Sequence, residues 1–167
     1  MPISDILDAC AGAGTIPERA IAVGTTLLGE GARAGVLYIL IEGEIEVVKG
    51  EYQLHVISKP GSVFGEISVL LDTPHTATVK TTQPSRFYVI EEPRAFLAAN
   101  PLVALGIAAL LAERLSAMTT YLVDLKRQYE GSDDHFGMID EVLETLSHSQ
   151  RAEHEPGSER DPDPTVS

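Results

Sequence analysis

The spacing of hydrophobic positions along this chain changes once, near Pro93, from a period of about two to a period of about 3.6. From Ile21 to Glu91, short runs of Val, Ile, Leu, Thr and Tyr are separated by Gly24, Gly29-Glu30-Gly31, Gly35, Gly43, Gly50, Pro60-Gly61 and Pro84. Runs of this kind, bounded by turn formers, predict β-strands. Val36 to Ile41 is apolar throughout and reads as a central strand. Glu44 to Val48 partly alternates, as a half-exposed strand does. Tyr52 to Ser58, Thr76 to Thr82 and Ser85 to Glu91 supply three more. Strands this short, with turns roughly 8–12 residues apart, predict a sandwich or barrel.

Beyond Pro93 the pattern is helical. Pro93 to Ala99 predicts a short helix, and Asn100-Pro101 makes a cap and first position for a longer one running to Tyr129. In that helix Ala104, Ala108, Leu111, Leu115, Met118, Leu122, Leu125 and Tyr129 follow alternating steps of four and three, a seam at coiled-coil spacing. Such a seam either packs on the β domain or joins a second copy, and Leu111, Leu115, Met118, Leu122 and Leu125 are the candidate dimer seam. Leu102, Leu105, Leu110 and Val123 lie off it, which leaves a second face for the barrel. At the other end Ser4 caps a short helix with Ile6, Leu7 and Cys10 inward, stopped by Gly12 and Gly14. Gly131-Ser132-Asp133-Asp134 breaks the long helix, and Met138 to Leu146 predicts a last amphipathic helix through Ile139, Val142, Leu143 and Leu146. From Ser147 the chain is polar, with three prolines, and is expected to be disordered. The expected division is one domain over residues 1–130 and an acidic tail over 131–167.

Charge narrows the choice of partners. The 167 residues carry a formal net charge of −13, and residues 131–167 hold ten Asp/Glu against two Arg. Duplex nucleic acid and anionic lipid are therefore disfavoured. One cysteine, Cys10, allows no internal disulfide and fits a cytoplasmic location. The N-terminus MPISDILDAC has no basic residue and does not read as a signal peptide, and the apolar stretch Pro101 to Ala112 is too short to span a bilayer. His55 and His75 stand alone, with no His-x-His pair and no Gly-x-Ser-x-Gly elbow, so neither a metal site nor catalysis is expected.

The richest stretch is GSVFGEISVLLDTPHTATV, Gly61 to Val79. Gly65-Glu66 opens a single apolar turn of helix, Asp72-Thr73-Pro74 breaks it, and a β-type run, Thr76 to Val79, follows. The start of such a helix presents backbone N–H groups and a positive dipole end, which suit an anion. This stretch resembles the phosphate-binding cassette of cyclic nucleotide-binding domains. The resemblance covers roughly residues 19–129, through Gly29-Glu30-Gly31, Leu37 to Ile45 (LYILIEGEI), Pro60-Gly61, Phe64-Gly65-Glu66-Ile67, Phe96 and Ala112-Glu113-Arg114-Leu115. It implies a mainly β fold with α: an antiparallel β roll of jelly-roll type, with a short cassette helix and a long C-terminal helix.

Carried over to this chain, the resemblance assigns Gly65 to close approach of the phosphate and Glu66 to the ribose 2′-hydroxyl. The N–H groups of Glu66, Ile67 and Ser68 and the Thr76 hydroxyl face the phosphate. Val63, Phe64, Val69 and Leu70 form the apolar surround, and Thr119 or Thr120 reaches the base. Glu66 has a plainer alternative, an acid favoured by the first turn of a helix. One position departs from the family: His75 stands where an arginine is usual. Losing a charge-assisted hydrogen bond costs ~1.5–3 kcal/mol, so binding is expected to be weaker and to improve at mildly acid pH. The expected function is a stand-alone, non-enzymatic regulatory domain without a DNA-binding domain, cytoplasmic and off the membrane. It would bind cAMP or cGMP without any other cofactor, relay this to a protein partner, and form a homodimer through the long helix. The alternative is a ligand-independent scaffold with a degenerate pocket.

Overall fold

A computed structural model describes residues 4–129 and 136–148. The predicted break at Gly131 to Asp134 and residues 149–167 lie outside them, whereas Ser147 and His148, where the disordered end is expected to begin, belong to the last helix. In chain order the elements are α1 (Ser4–Gly12), β1 (Glu18–Ile21), β2 (Thr26–Leu28), β3 (Leu37–Glu42), β4 (Ile45–Lys49), β5 (Tyr52–Ile57), β6 (Val63–Phe64) and α2 (Glu66–Leu71). Then come β7 (Thr78–Thr81), β8 (Ser85–Ile90), α3 (Pro93–Ala99), α4 (Pro101–Gln128) and α5 (Phe136–His148). Two four-stranded sheets have the orders β1-β8-β3-β6 and β2-β7-β4-β5, antiparallel throughout. This is the antiparallel β roll that the sequence predicts.

The apolar run in β3 becomes a central strand because both its edges and both its faces are used. It pairs with β8 on one side and β6 on the other, and Leu37, Ile39 and Leu40 are fully buried. Leu40 joins Leu28, Ile45, Phe64, Val79, Phe87 and Val89 in the cluster within the roll. Leu37 and Ile39 face a second cluster with Ile6, Cys10, Val63, Ile90, Val103, Ile107 and Leu110, which brings α1 and α4 against the sheet. The two-residue strand β6, opposite Tyr38 and Ile39, fixes the start of the cassette to the central strand.

The face of α4 that packs on the roll agrees with the expected one at Leu110, which is buried, and departs from it at Leu102 and Leu105. Leu102 and Leu105 are 62% and 57% exposed, whereas Val103, Gly106, Ile107 and Leu110 are buried. Close approach of α1 decides this. A Cβ on Gly106 would lie 2.8 Å from Ile6 Cγ1, so the contact needs a glycine and sets the helix rotation around it. By length and composition alone α4 is apolar enough to cross a membrane, but its buried residues serve a protein core.

Contacts divide the chain into two compact units, Met1–Glu113 and Arg114–Ser167, and the division falls inside α4. In the second unit α5 is longer than predicted. Ile139, Leu143 and Leu146 are half-buried, Val142 is exposed, and Lys126 pairs with Asp140.

Candidate ligand site

Gly65 lies at φ +90° and precedes α2 with no side chain to cap it. A Cβ there would sit 2.5 Å from Val36 O and 3.5 Å from Leu28 Cδ1, so the turn admits only glycine. The Val69 N–H donates to Gly65 O at 3.1 Å, which closes the first turn. The amides of Glu66, Ile67 and Ser68 therefore lie in the part of a helix that has no intrahelical acceptor. Glu66 is buried, Ile67 is partly exposed, and Val63, Phe64 and Val69 are buried, Phe64 in the cluster within the roll and Val63 in the cluster with α1 and α4. Leu70 and Leu71 point outward, 46% and 66% exposed.

The helix ends at Asp72, which adopts a left-handed conformation (φ 53°) and donates its N–H to Ser68 O. The Ser68 hydroxyl donates to Thr73 O, so it is used inside the cassette. Thr76 is exposed. Thr119 and Thr120 belong to the second compact unit, where each hydroxyl donates to the carbonyl four residues earlier, Leu115 O and Ser116 O. On the expected seam Leu115 and Met118 are exposed, while Leu111, Leu122 and Leu125 are half-buried.

His75 is 6% exposed and bound into the fold. Its Nε2 accepts the Ala34 N–H at 3.1 Å, its own N–H donates to Ala32 O at 2.9 Å, and its carbonyl accepts the Gly31 N–H at 2.8 Å. An imidazole nitrogen that accepts is unprotonated, so the proton of the neutral ring sits on Nδ1. Burial lowers the His75 pKa below its ordinary 6.5, in the same direction. This geometry does not support a charged histidine standing in for arginine, nor a gain in binding at mildly acid pH.

His75 instead fastens residues 29–35, the segment between β2 and β3, onto the cassette. Further stitches are the Glu30 N–H to Thr78 Oγ1 at 3.1 Å and Arg33 Nη1 to Asp72 O and Oδ1 at 3.1 and 3.3 Å. Arg94 Nη2, from α3, donates to Leu70 O at 3.4 Å. The sequence reading missed both arginines. Arg94 had one faint cue, its place directly after the proline that starts α3; Arg33 had none. Elsewhere Cys10 is buried and its thiol pKa is raised to about 11, which leaves it unreactive. Among the described residues no group of His, Cys, Asp and Glu is placed to hold a metal.

The sequence profile of the cyclic nucleotide-binding domain matches residues 18–98, from β1 through the cassette to α3. The chain carries a domain of the cyclic nucleotide-binding family. A CRP-like cAMP-activated global transcriptional regulator of Mycobacterium tuberculosis is 29% identical over 108 residues, 61% of this chain and 48% of that protein. A cAMP-dependent protein kinase regulatory subunit of Yarrowia lipolytica is 35% identical over 70 residues, 42% of this chain and 18% of that protein. The chain thus spans about half or less of these curated relatives. Among solved structures the catabolite activator protein of Thermus thermophilus superposes with a TM-score of 0.57 at 22% identity, covering 85% of this chain and 79% of that one. A PKAR domain, CBD2, solved with Sp-2Cl-cAMPS gives 0.56 at 21% identity, covering 74% and 86%. At these identities the superpositions establish a shared roll for the cyclic nucleotide-binding domain of this chain.

Proposed function

We propose that this domain is a non-catalytic regulatory module that takes a cyclic nucleotide, cAMP or cGMP, at Gly65 to Ser68. The observation that carries the reading is the Gly65 turn. It is strained for any other residue, packs directly on Val36 O, and opens a helix whose first amides have no side-chain cap. Glu66, buried at the first position of that helix, is suited to a ribose hydroxyl. Ligand capture shifts the cassette, and the contact between α2 and α3 carries that shift to the helices that follow. The output goes to a protein partner in the cytoplasm, because a net charge of −13 opposes duplex DNA. The exposed Leu115 and Met118 fit a seam between two copies.

A second reading, a ligand-independent scaffold, is favoured by one observation: His75 is committed to Ala34 and supplies no cation. Calorimetry separates the two. The full chain is titrated with cAMP, cGMP and cyclic dinucleotides near pH 6 and near pH 7.5, beside a Gly65→Ala variant. Heat with a cyclic mononucleotide, lost in the variant, supports the receptor. No heat with any of them at either pH supports the scaffold.

A further inference from the structure

The cassette helix runs only from Glu66 to Leu71, and its last turn contains no basic residue. Two guanidinium groups from other elements nevertheless meet its carboxyl end. Arg94, on α3, donates to Leu70 O, and Arg33, on the segment between β2 and β3, donates to both the carbonyl and the carboxylate of Asp72. Carbonyls in the last turn of a helix lack intrahelical donors and carry the negative end of its dipole, so cations from outside suit them. The grip falls on a strained point, since Asp72 is the one non-glycine residue with positive φ among the described residues.

Arg33, Ser68, Asp72, Thr73, Glu92 and Arg94 line a cavity of about 360 Å³ between these elements. Its lining holds two guanidiniums and two carboxylates, and both guanidiniums are already engaged. That makes it a joint between three elements and not a receptacle for an anion.

We infer that Arg33 and Arg94 are positioning residues: by gripping the carboxyl end of the cassette helix, they hold its tilt about the Gly65 turn and so aim the amides of its amino end, the ligand end. A six-residue helix is about 9 Å long, so a tilt released at its carboxyl end reorients the first turn at the other. The effect on affinity rests on the nucleotide-binding reading; the grip itself needs no ligand.

The experiment is amide hydrogen exchange on the full chain in Arg33→Gln, Arg94→Gln and the double variant, with Arg94→Lys as a partial rescue, because lysine keeps the charge and loses the fork. Exchange at Val69 to Thr73, the amides bonded within the cassette, is expected to quicken about three- to tenfold in each single variant and further in the double. Both side chains are exposed, so the global unfolding midpoint should stay unchanged. The dissociation constants for cAMP and cGMP should rise by a similar factor. Unchanged exchange in the double variant would overturn the inference, as would protection lost evenly over the roll, or an affinity that ignores a loosened cassette. If the wild type binds neither nucleotide, the receptor reading fails, and the exchange measurement still decides the grip.

Discussion

Single residues set the character of the cassette. Gly65 and Glu66 were readable in the sequence because each does locally what its type is suited to: one adopts φ +90° and the other opens a helix. His75 was readable as an anomaly but not in its role. Its acceptor role depends on an amide 41 residues away, at Ala34, and nothing in the local pattern announces that. The consequence for pH has a definite sign. A histidine whose folded pKa lies below the unfolded 6.5 binds fewer protons folded than unfolded when acid is added. Its contribution is complete above about pH 6.5 and is lost as pH falls from there toward the folded value. NMR titration of His75 should give a pKa below 6.5. In His75→Gln, whose side-chain oxygen still accepts from Ala34 without titrating, urea stability should fall less steeply on acidification. A slope equal to that of the wild type would remove His75 from the account.

At the scale of elements, the strands and helices follow their periods closely, since alternation and the 3.6-residue repeat are properties of the chain itself. What the period could not supply was the rotation of α4. Leu102 and Leu105 are larger than Gly106 and were expected inside, yet a glycine decides the packing because it lets Ile6 approach. Ile107, 2% exposed and in the same cluster, then becomes the anchor between α4 and the roll. Ile107→Ala is expected to lower unfolding free energy by about 2–5 kcal/mol, measured by urea denaturation. Leu102→Ala, at an exposed site on the same helix, should change it by less than about 0.5 kcal/mol. Equal losses at the two sites would mean that α4 is rotated from the position described. The short strands β1, β2 and β6 were hard to see in advance for the opposite reason. Two to four residues carry too little pattern, and their pairing partners, β8, β7 and β3, define them.

For the molecule as a whole, the order of strands and helices was legible because turn formers punctuate it and the cassette motif fixes its register. The line between the two compact units was not, because it falls within a continuous helix. Self-association through the second half of that helix is a separate matter from ligand binding and is tested separately. Sedimentation of the full chain should show twice the 17.9 kDa monomer mass, and Leu115→Glu should return it to the monomer. A monomeric wild type, or a dimer that survives the substitution, would place any assembly elsewhere. The claim on which the account rests is that the cassette amides still receive a cyclic phosphate although His75 supplies no charge. Backbone amide shifts of the full chain, recorded with saturating cAMP and then cGMP, test it most directly. The account predicts that the largest shifts cluster at Gly65 to Ser68 and at Thr76; a spectrum unchanged by both nucleotides, or shifts centred away from the cassette, would contradict it.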